Sequence, residues 1–553
     1  MTLNKKGVFF YKKLWLLVFT TLYFGCASIQ KPQGGPRDRT PPKLLKATPK
    51  NQTHNFAAKQ IQLDFDEYFK LTNQFQEITI SPAPDKLPDF KVKQKSLVIT
   101  FKDTLLKNTT YVINFGTAIR DVNEGNILKN FTYVFSTGTH IDSLSISGSV
   151  INSLTQKKEV LGPNENVTVM LFTLKQDSLL FGKKKPSVFT SVDSAGNFSL
   201  NNLKEGLYKI YALRETAPNK IYDNDNELIA FSKKTINLQH DTAGVRLKLF
   251  KQIPPKFRLA EKKFDIDGKM LFVFNKSLDK PSVRILYPPG LDEQKIVDIS
   301  KTRDTVLIYS KKMDFDSVRV AFYDNNKPID TTYLRKTKKE TYTRNLQLKF
   351  GLSKNASVLK PGTDLHIYSN TPIASFDQSL VTLMEDSTRV NFTLTKDTGT
   401  TKSLMLKYRW RQKAAYTLTF NEGAVTSMYG DISKKQLAKF MIDNPEDYST
   451  LTLKVSVPDT GRSYIVELLN EQKNVLRSDR VTKNTNIIYK NIYTGKFTVS
   501  VIYDDNKNGK YDPGSLKNKT QPENVWVYDK IFALRPNWEI DEPLVIPKEP
   551  TSP

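Results

Sequence analysis

IQLDFDEYF, residues 61–69, places Ile61, Leu63 and Phe65 at every second position, with polar side chains between them. Successive side chains of an extended chain point to opposite faces, so this spacing predicts a half-buried β-strand. Further strand-type runs lie outward from it at Ile78–Ile80, Ser96–Phe101, Tyr111–Phe115 and Phe131–Phe135. Turn formers separate them: Pro82 and Pro84, Lys107-Asn108, and Glu124-Gly125-Asn126. Short strands with regular turns and no helical periodicity predict a β-sandwich.

The order of these pieces carries a resemblance. Pro41-Pro42, the strand ending Phe65-Asp66-Glu67, TTYVINFGTAIRDVNEGN (109–126) and FTYVFSTG (131–138) together resemble the bacterial Ig-like domain of S-layer and envelope proteins. The resemblance implies an Ig-like domain over 41–138. With QGGPRDRTPP (33–42) in front of it, the stretch also resembles a family of Bacteroidetes Ig-like lipoproteins, and that family implies no catalysis.

Residues 143–250 contain LSISGSVINS (144–153), VTVMLF (167–172) and SAGNFSLNNLKEGLYKIYALRE (194–215). This pattern is similar to the carboxypeptidase-regulatory, transthyretin-like module, a small sandwich used as a spacer or interaction unit. Internal repeats extend the reading. Gly206–Glu215 parallels Gly495–Asp504, and each is followed by a Tyr-Asp pair, Tyr222-Asp223 and Tyr511-Asp512, so 449–548 reads as a second transthyretin-like module. Lys95–Phe101 parallels Lys402–Tyr408, Tyr111–Phe115 parallels Tyr416–Phe420, and Gly125 parallels Gly430, so 345–445 reads as a second Ig-like domain. Pro254-Pro255-Lys256 echoes Pro41-Pro42-Lys43, and Leu271–Asn275 resembles the first strand, so 254–341 reads as a diverged Ig-like unit. The expectation is an all-β chain: a linear array of Ig-like and transthyretin-like sandwiches, extended like a rod and pinned at its N-terminus.

The pinning device is read from residues 1–40. Lys5, Lys6, Lys12 and Lys13 precede an apolar run, Leu14–Phe24, and then Gly25 and Cys26. This is the secretory signal order, and the apolar run is shorter than the ~20 residues a membrane-spanning helix needs. A small residue before a lone cysteine resembles the lipobox of bacterial lipoproteins, although Tyr23 stands where that family prefers Leu. The resemblance implies removal of 1–25 and lipidation of Cys26, with 26–40 as a Gly- and Pro-containing tether. Several acyl chains on one residue anchor stably where a single chain does not. Ala27–Gln30 lacks both an inner-membrane retention Asp and an acidic export cluster. The expected place is the outer membrane, with the periplasmic face favoured over the cell surface.

Composition narrows the partners. Lys and Arg number 83 against 57 Asp and Glu, a net charge of +26, but the basic residues are spread along the chain. Solvated strand faces account for that spread better than one anionic partner, and the absence of RNP, helix-turn-helix or zinc-finger patterns argues against nucleic acid. The single cysteine excludes a mature disulfide and a cysteine-based zinc site. The four histidines, His54, His140, His240 and His366, form no HExxH pair, and neither GxSxG nor a P-loop occurs. Asp64 and Asp66 share one strand face and read as solvated carboxylates. Trp410, Trp526 and Trp538 are the aromatics to inspect for a sugar-stacking or partner surface.

One stretch has ligand spacing. In Asp504–Asp512 the oxygens of Asp504, Asn506, Asn508 and Asp512 fall at alternate positions and Gly509 sits sixth, as in the first half of an EF-hand-type calcium loop. Ser515 occupies position twelve, where a bidentate Glu belongs. The same residues suit a long hairpin turn. The stretch therefore reads two ways, as a turn or as a weak calcium site in the ~10⁻⁴–10⁻³ M range. In the earlier module Glu215 and Lys220 take the places of Asp504 and Gly509, which reads as structural. No cofactor is required. The expected partners are the membrane, through Cys26, and an outer-membrane protein complex, with envelope polysaccharide as the alternative in a surface glycan-binding or adhesion role.

Overall fold

The computed structural model describes residues 38–550 apart from 83, 85, 159–166, 217–218, 225, 337–341 and 354–355. The expected signal segment, Cys26 and most of the expected tether therefore lie outside the described residues. The chain is all-β and multi-domain. Among the described residues its α-helices are Gln74–Glu77 and Leu174–Leu180, and no helix is long and apolar enough to cross a membrane. It divides into two compact units, Met1–Asp142 and Ser143–Pro553.

The first unit is a sandwich built on the opening strand. Gln60–Phe65 buries Ile61, Leu63 and Phe65 and turns Gln60 and Gln62 to solvent, as a period of two requires. It pairs antiparallel with Leu44–Thr48 and Ser96–Thr100, and Ser96–Thr100 pairs with Asp89–Lys93. The facing sheet runs Thr79–Ser81, Thr110–Asn114, Thr132–Ser136. A two-stranded clip, Phe69–Leu71 with Ile119–Asp121, completes the domain. Phe135 sits fully buried at the centre, stacked on Tyr111 at 5.3 Å and against Phe56 at 4.1 Å. Burying one such ring is worth roughly 1.5–3 kcal/mol.

The second unit holds four sandwiches. Residues 345–445 repeat the pairing of the first unit: Leu348–Phe350, Leu365–Ser369, Ser403–Lys407 and Thr393–Lys396 in one sheet, and Val381–Glu385, Ala415–Phe420 and Gln436–Ile442 in the other, which gains the short strands Val358–Leu359 and Thr388–Val390 at its edges. The clip recurs as Ile373–Phe376 with Val425–Ser427. Residues 259–335 keep both sheets, Leu259–Phe264 to Ile296–Ile299 and Pro281–Tyr287 to Lys327–Arg335, but among the described residues have no clip.

The other two sandwiches share a second pattern. In one, Leu144–Asn152 pairs antiparallel with Asn197–Leu203 and parallel with Thr242–Lys251. In the last, Tyr448–Ser456 pairs antiparallel with Thr485–Tyr493 and parallel with Glu539–Val545. The central antiparallel pairs match as well: Val167–Thr173 with Gly206–Arg214, and Ser463–Leu469 with Gly495–Asp504. Val167–Thr173 is buried on both faces, the reason its sequence reads as a continuous apolar run rather than an alternating one.

Neighbouring sandwiches of this unit are bridged by side chains. Lys402 Nζ lies 2.6 Å from Asp298 and donates to the Tyr309 hydroxyl at 3.2 Å. The Arg344 guanidinium sits 3.9 Å from the centre of the Tyr429 ring. Asn491 donates its side-chain amide to the Pro361 carbonyl at 3.1 Å. The first and last sandwiches of the unit also touch, a contact that a linear array does not anticipate.

Candidate functional site: the 504–524 loop

The loop begins where strand Gly495–Asp504 ends. Asp504 is fully buried, and its carboxylate accepts the Asn508 N–H at 2.9 Å, the Gly509 N–H at 3.1 Å and the Ser463 hydroxyl at 2.8 Å. Arg480 Nε stands 3.7 Å away. Gly509 has φ +76°, which lets the chain turn back without a Cβ penalty. Asn506 and Asn508 both donate their amides to Asp512 Oδ2, the latter at 2.6 Å. The four residues with ligand spacing are thus brought together, and their polar atoms are engaged by one another and by the backbone. Among the described residues no group of three or more His, Cys, Asp and Glu is placed to hold a metal ion.

A fifth residue, absent from the sequence reading, closes the loop. Glu523 accepts the Asp505 N–H at 3.1 Å and the Asp512 N–H at 3.0 Å. Burial pushes its carboxyl up to about 7, helped by the charges of Asp512 and Asp504 and opposed by the two N–H groups. The earlier sandwich has the same device. Asn219 donates to Asp223 at 2.8 Å, the Asp223 N–H reaches Glu227 at 3.2 Å, and burial raises the Glu227 carboxyl. Lys220, at the place of Gly509, has φ +61°, is itself buried and lays its ammonium 5.1 Å from the Phe189 ring centre. The signal that could have found Glu523 is this pairing of Tyr-Asp with a downstream Glu just before a strand. The two spacings differ, four residues from Asp223 to Glu227 and eleven from Asp512 to Glu523.

The seven extra residues form a strap laid on the earlier sandwich. Leu516 packs against the buried cluster that includes Phe172, Phe231 and Phe250 of that sandwich. The Leu516 N–H donates to Gln252 Oε1 at 2.7 Å and Gln521 Nε2 to the Phe231 carbonyl at 2.8 Å. Lys248 Nζ donates to Asn524 at 2.8 Å, and the Tyr511 hydroxyl to Ser153 at 3.0 Å. A loop with ligand spacing thus serves as the root of an intramolecular strap.

The other candidates are placed separately. Asp64 accepts Gln62 Nε2 and the Ser96 hydroxyl, which hold its pKa below the usual value, while Asp66 accepts the Lys43 N–H at 2.8 Å. His366 lies on strand Leu365–Ser369 with Nδ1 3.6 Å from Asp397. Trp410 and Trp526 pack against their cores, and only Trp538 is exposed, with the Arg535 guanidinium 5.3 Å from its ring centre. They present no shared aromatic platform.

Comparison with known proteins bears on the first unit. Residues 38–137 match the family model of the bacterial Ig-like domain. That stretch is thus similar to a bacterial Ig-like domain in sequence, and it folds as a two-sheet sandwich. The match ends at the strand Thr132–Ser136, so the Ig-like domain and the first compact unit nearly coincide. Solved structures similar to the chain include a major pilin subunit of Bacillus cereus, at 9% identity over 73% of this chain and 99% of that one, TM-score 0.13. An S-layer protein, rSbsC, matches at 10% identity over 89% and 67%, TM-score 0.15. Titin domains A168–A170 match at 13% identity over 46% and 92%, TM-score 0.13. Superpositions this weak carry no inference about this chain. No curated protein matches its sequence.

Proposed function

We propose that this chain is a non-enzymatic envelope lipoprotein, held at the outer membrane through Cys26, that works as a β scaffold or accessory subunit for a protein complex. The Ig-like domain would stand next to the anchor, and the transthyretin-like repeats would frame the second unit. The observation that carries the reading is the strap. Residues 511–524 tie the last sandwich of the second unit to its first, so the surfaces between them are held in fixed relation, as a docking frame requires. The residues with ligand spacing in the 504–512 loop are engaged by one another and by the backbone, as in a turn. The glycan-binding alternative has less support, since among the described residues Trp538 is the exposed tryptophan and Arg535 lies against it.

The test is a crosslinked pull-down from native membranes with a C-terminally tagged chain beside its Cys26→Ala variant. Recovery of one outer-membrane complex with the first and its loss with the second is the expected result. Retention of envelope polysaccharide without a protein partner would overturn it.

A further inference from the structure

The last sandwich has an open side. Val475–Val481 is the terminal strand of one sheet and Thr485–Tyr493 the terminal strand of the other. They follow each other in the chain but do not pair. Between them lies a groove of about 590 Å³ lined by both strands. At ~3.3 Å per residue, the seven- and nine-residue strands present free edges of about 23 and 30 Å. The equivalent side of the earlier sandwich differs: its edge strand, Val188–Ser191, is four residues long. Short edge strands are one way proteins avoid adding a foreign strand. The last sandwich lengthens that edge instead.

The groove's chemistry is specific. Arg477 and Lys490 line it, both exposed, and no ion pair among the described residues engages either. Arg480 lines it too but is occupied by Ser463 and the Lys507 carbonyl. Asp479 is the one acid in the lining. Lys360 lies near the same edge, its ammonium 5.9 Å from the Tyr493 ring centre. Burial lowers the Lys360 pKa and the Arg477 charge lowers it further, a sign of crowded positive charge. Tyr489 lines the groove while 4% exposed, with its hydroxyl set against the Asp479 carboxylate. Val475, Leu476 and Ile488 are exposed on the flanking strands.

We propose that this groove takes an extended acidic segment of a partner protein, added as a strand along Val475–Val481, with its carboxylates on Arg477 and Lys490. Two free backbone edges fit a peptide, because main-chain hydrogen bonds supply affinity and alternate side chains supply selection. This deepens the scaffold reading by giving the partner a chemistry, and it rests on that reading only for its cellular context.

The test uses the full-length chain carrying Cys26→Ala, so membrane attachment does not enter the readout and its failure is separate from failure of the lipoprotein reading. The probe is a fluorescein-labelled ten-residue peptide of alternating Glu and Val, read by anisotropy and by amide exchange. Binding is expected in the micromolar range, with slowed exchange over 475–481. R477E/K490E should weaken it at least tenfold, while the charge-matched control K301E/K327E should not. Equal loss in both charge variants, equal binding of a polyphosphate, or binding without slowed exchange at 475–481 would overturn the proposal.

Discussion

Gly514 runs so close to Phe250 that a Cβ on it would stand 2.6 Å from the ring, with the Thr520 carbonyl at 2.8 Å on the other side. Phe250 is buried and Thr520 offers backbone, so neither can yield cheaply. Gly514→Ala is expected to destabilise the strap by roughly 1–3 kcal/mol, the usual cost of overpacking. Amide exchange should speed up over 513–523 and at Leu228–Phe231 while the Ig-like domain is untouched. Phe250→Leu should recover part of the loss in the double variant, since the two sites share one contact.

The second prediction concerns a tyrosine used twice. The buried Tyr111 hydroxyl accepts the Leu106 N–H at 2.8 Å, and the buried Tyr416 hydroxyl accepts the Arg411 N–H at 2.7 Å, five residues upstream in both cases. This is the corner bond of Ig-type sandwiches. Tyr416 also donates to Glu385 at 2.6 Å. Tyr111→Phe is expected to cost about 1 kcal/mol, the net worth of one hydrogen bond. Tyr416→Phe should cost more, because a buried carboxylate loses a donor as well. Denaturant melts of the two variants, followed by amide exchange in each domain, decide the order.

What the sequence discloses follows from burial geometry. Gln60–Phe65 has one face inside and one outside, so its pattern shows through. Leu44–Thr48 and Asp89–Lys93 are sheet edges with mostly exposed or half-exposed residues, and nothing in their composition enforces a period of two. Gly206–Arg214 and Gly495–Asp504 were readable as related because both central strands keep the same apolar positions. Glu523 was not readable as a loop residue, since the strap intervenes between it and Asp512. The strap contact itself joins residues more than 260 positions apart, such as Gln252 and Leu516, through polar bonds that leave no local signature.

Two carboxylates give opposite pH dependences. Arg411 donating at 2.9 Å, with the Tyr416 and Tyr408 hydroxyls, holds Glu385 at about 2 against an ordinary 4.5, while burial opposes this. Its contribution to stability is present above about 4.5 and is lost as pH falls from there toward 2. Glu523 is raised from 4.5 to about 7, so its contribution is full below 4.5 and is lost as pH rises through 7. Exchange at 505–523 should therefore quicken between pH 5 and 8, and Glu523→Gln should flatten that change. Glu385→Gln should instead blunt acid sensitivity in 345–445, at a net cost near neutral pH.

Calcium is the last test. Asp512 already receives the Asn506 and Asn508 amides, and Asp504 receives two backbone N–H groups and a hydroxyl, so the loop closes on its own hydrogen bonds. Chelation with EDTA is expected to leave exchange at 504–524 unchanged. A cation entering the loop must displace those amides. With a Kd of about 1 mM, 5 mM Ca²⁺ adds only about 1 kcal/mol. That gain should vanish in Asp512→Asn, which keeps an acceptor for the amides and removes the charge a cation needs. A loop that opens on chelation would instead mean that the metal, and not Glu523 with its two N–H partners, holds the root of the strap.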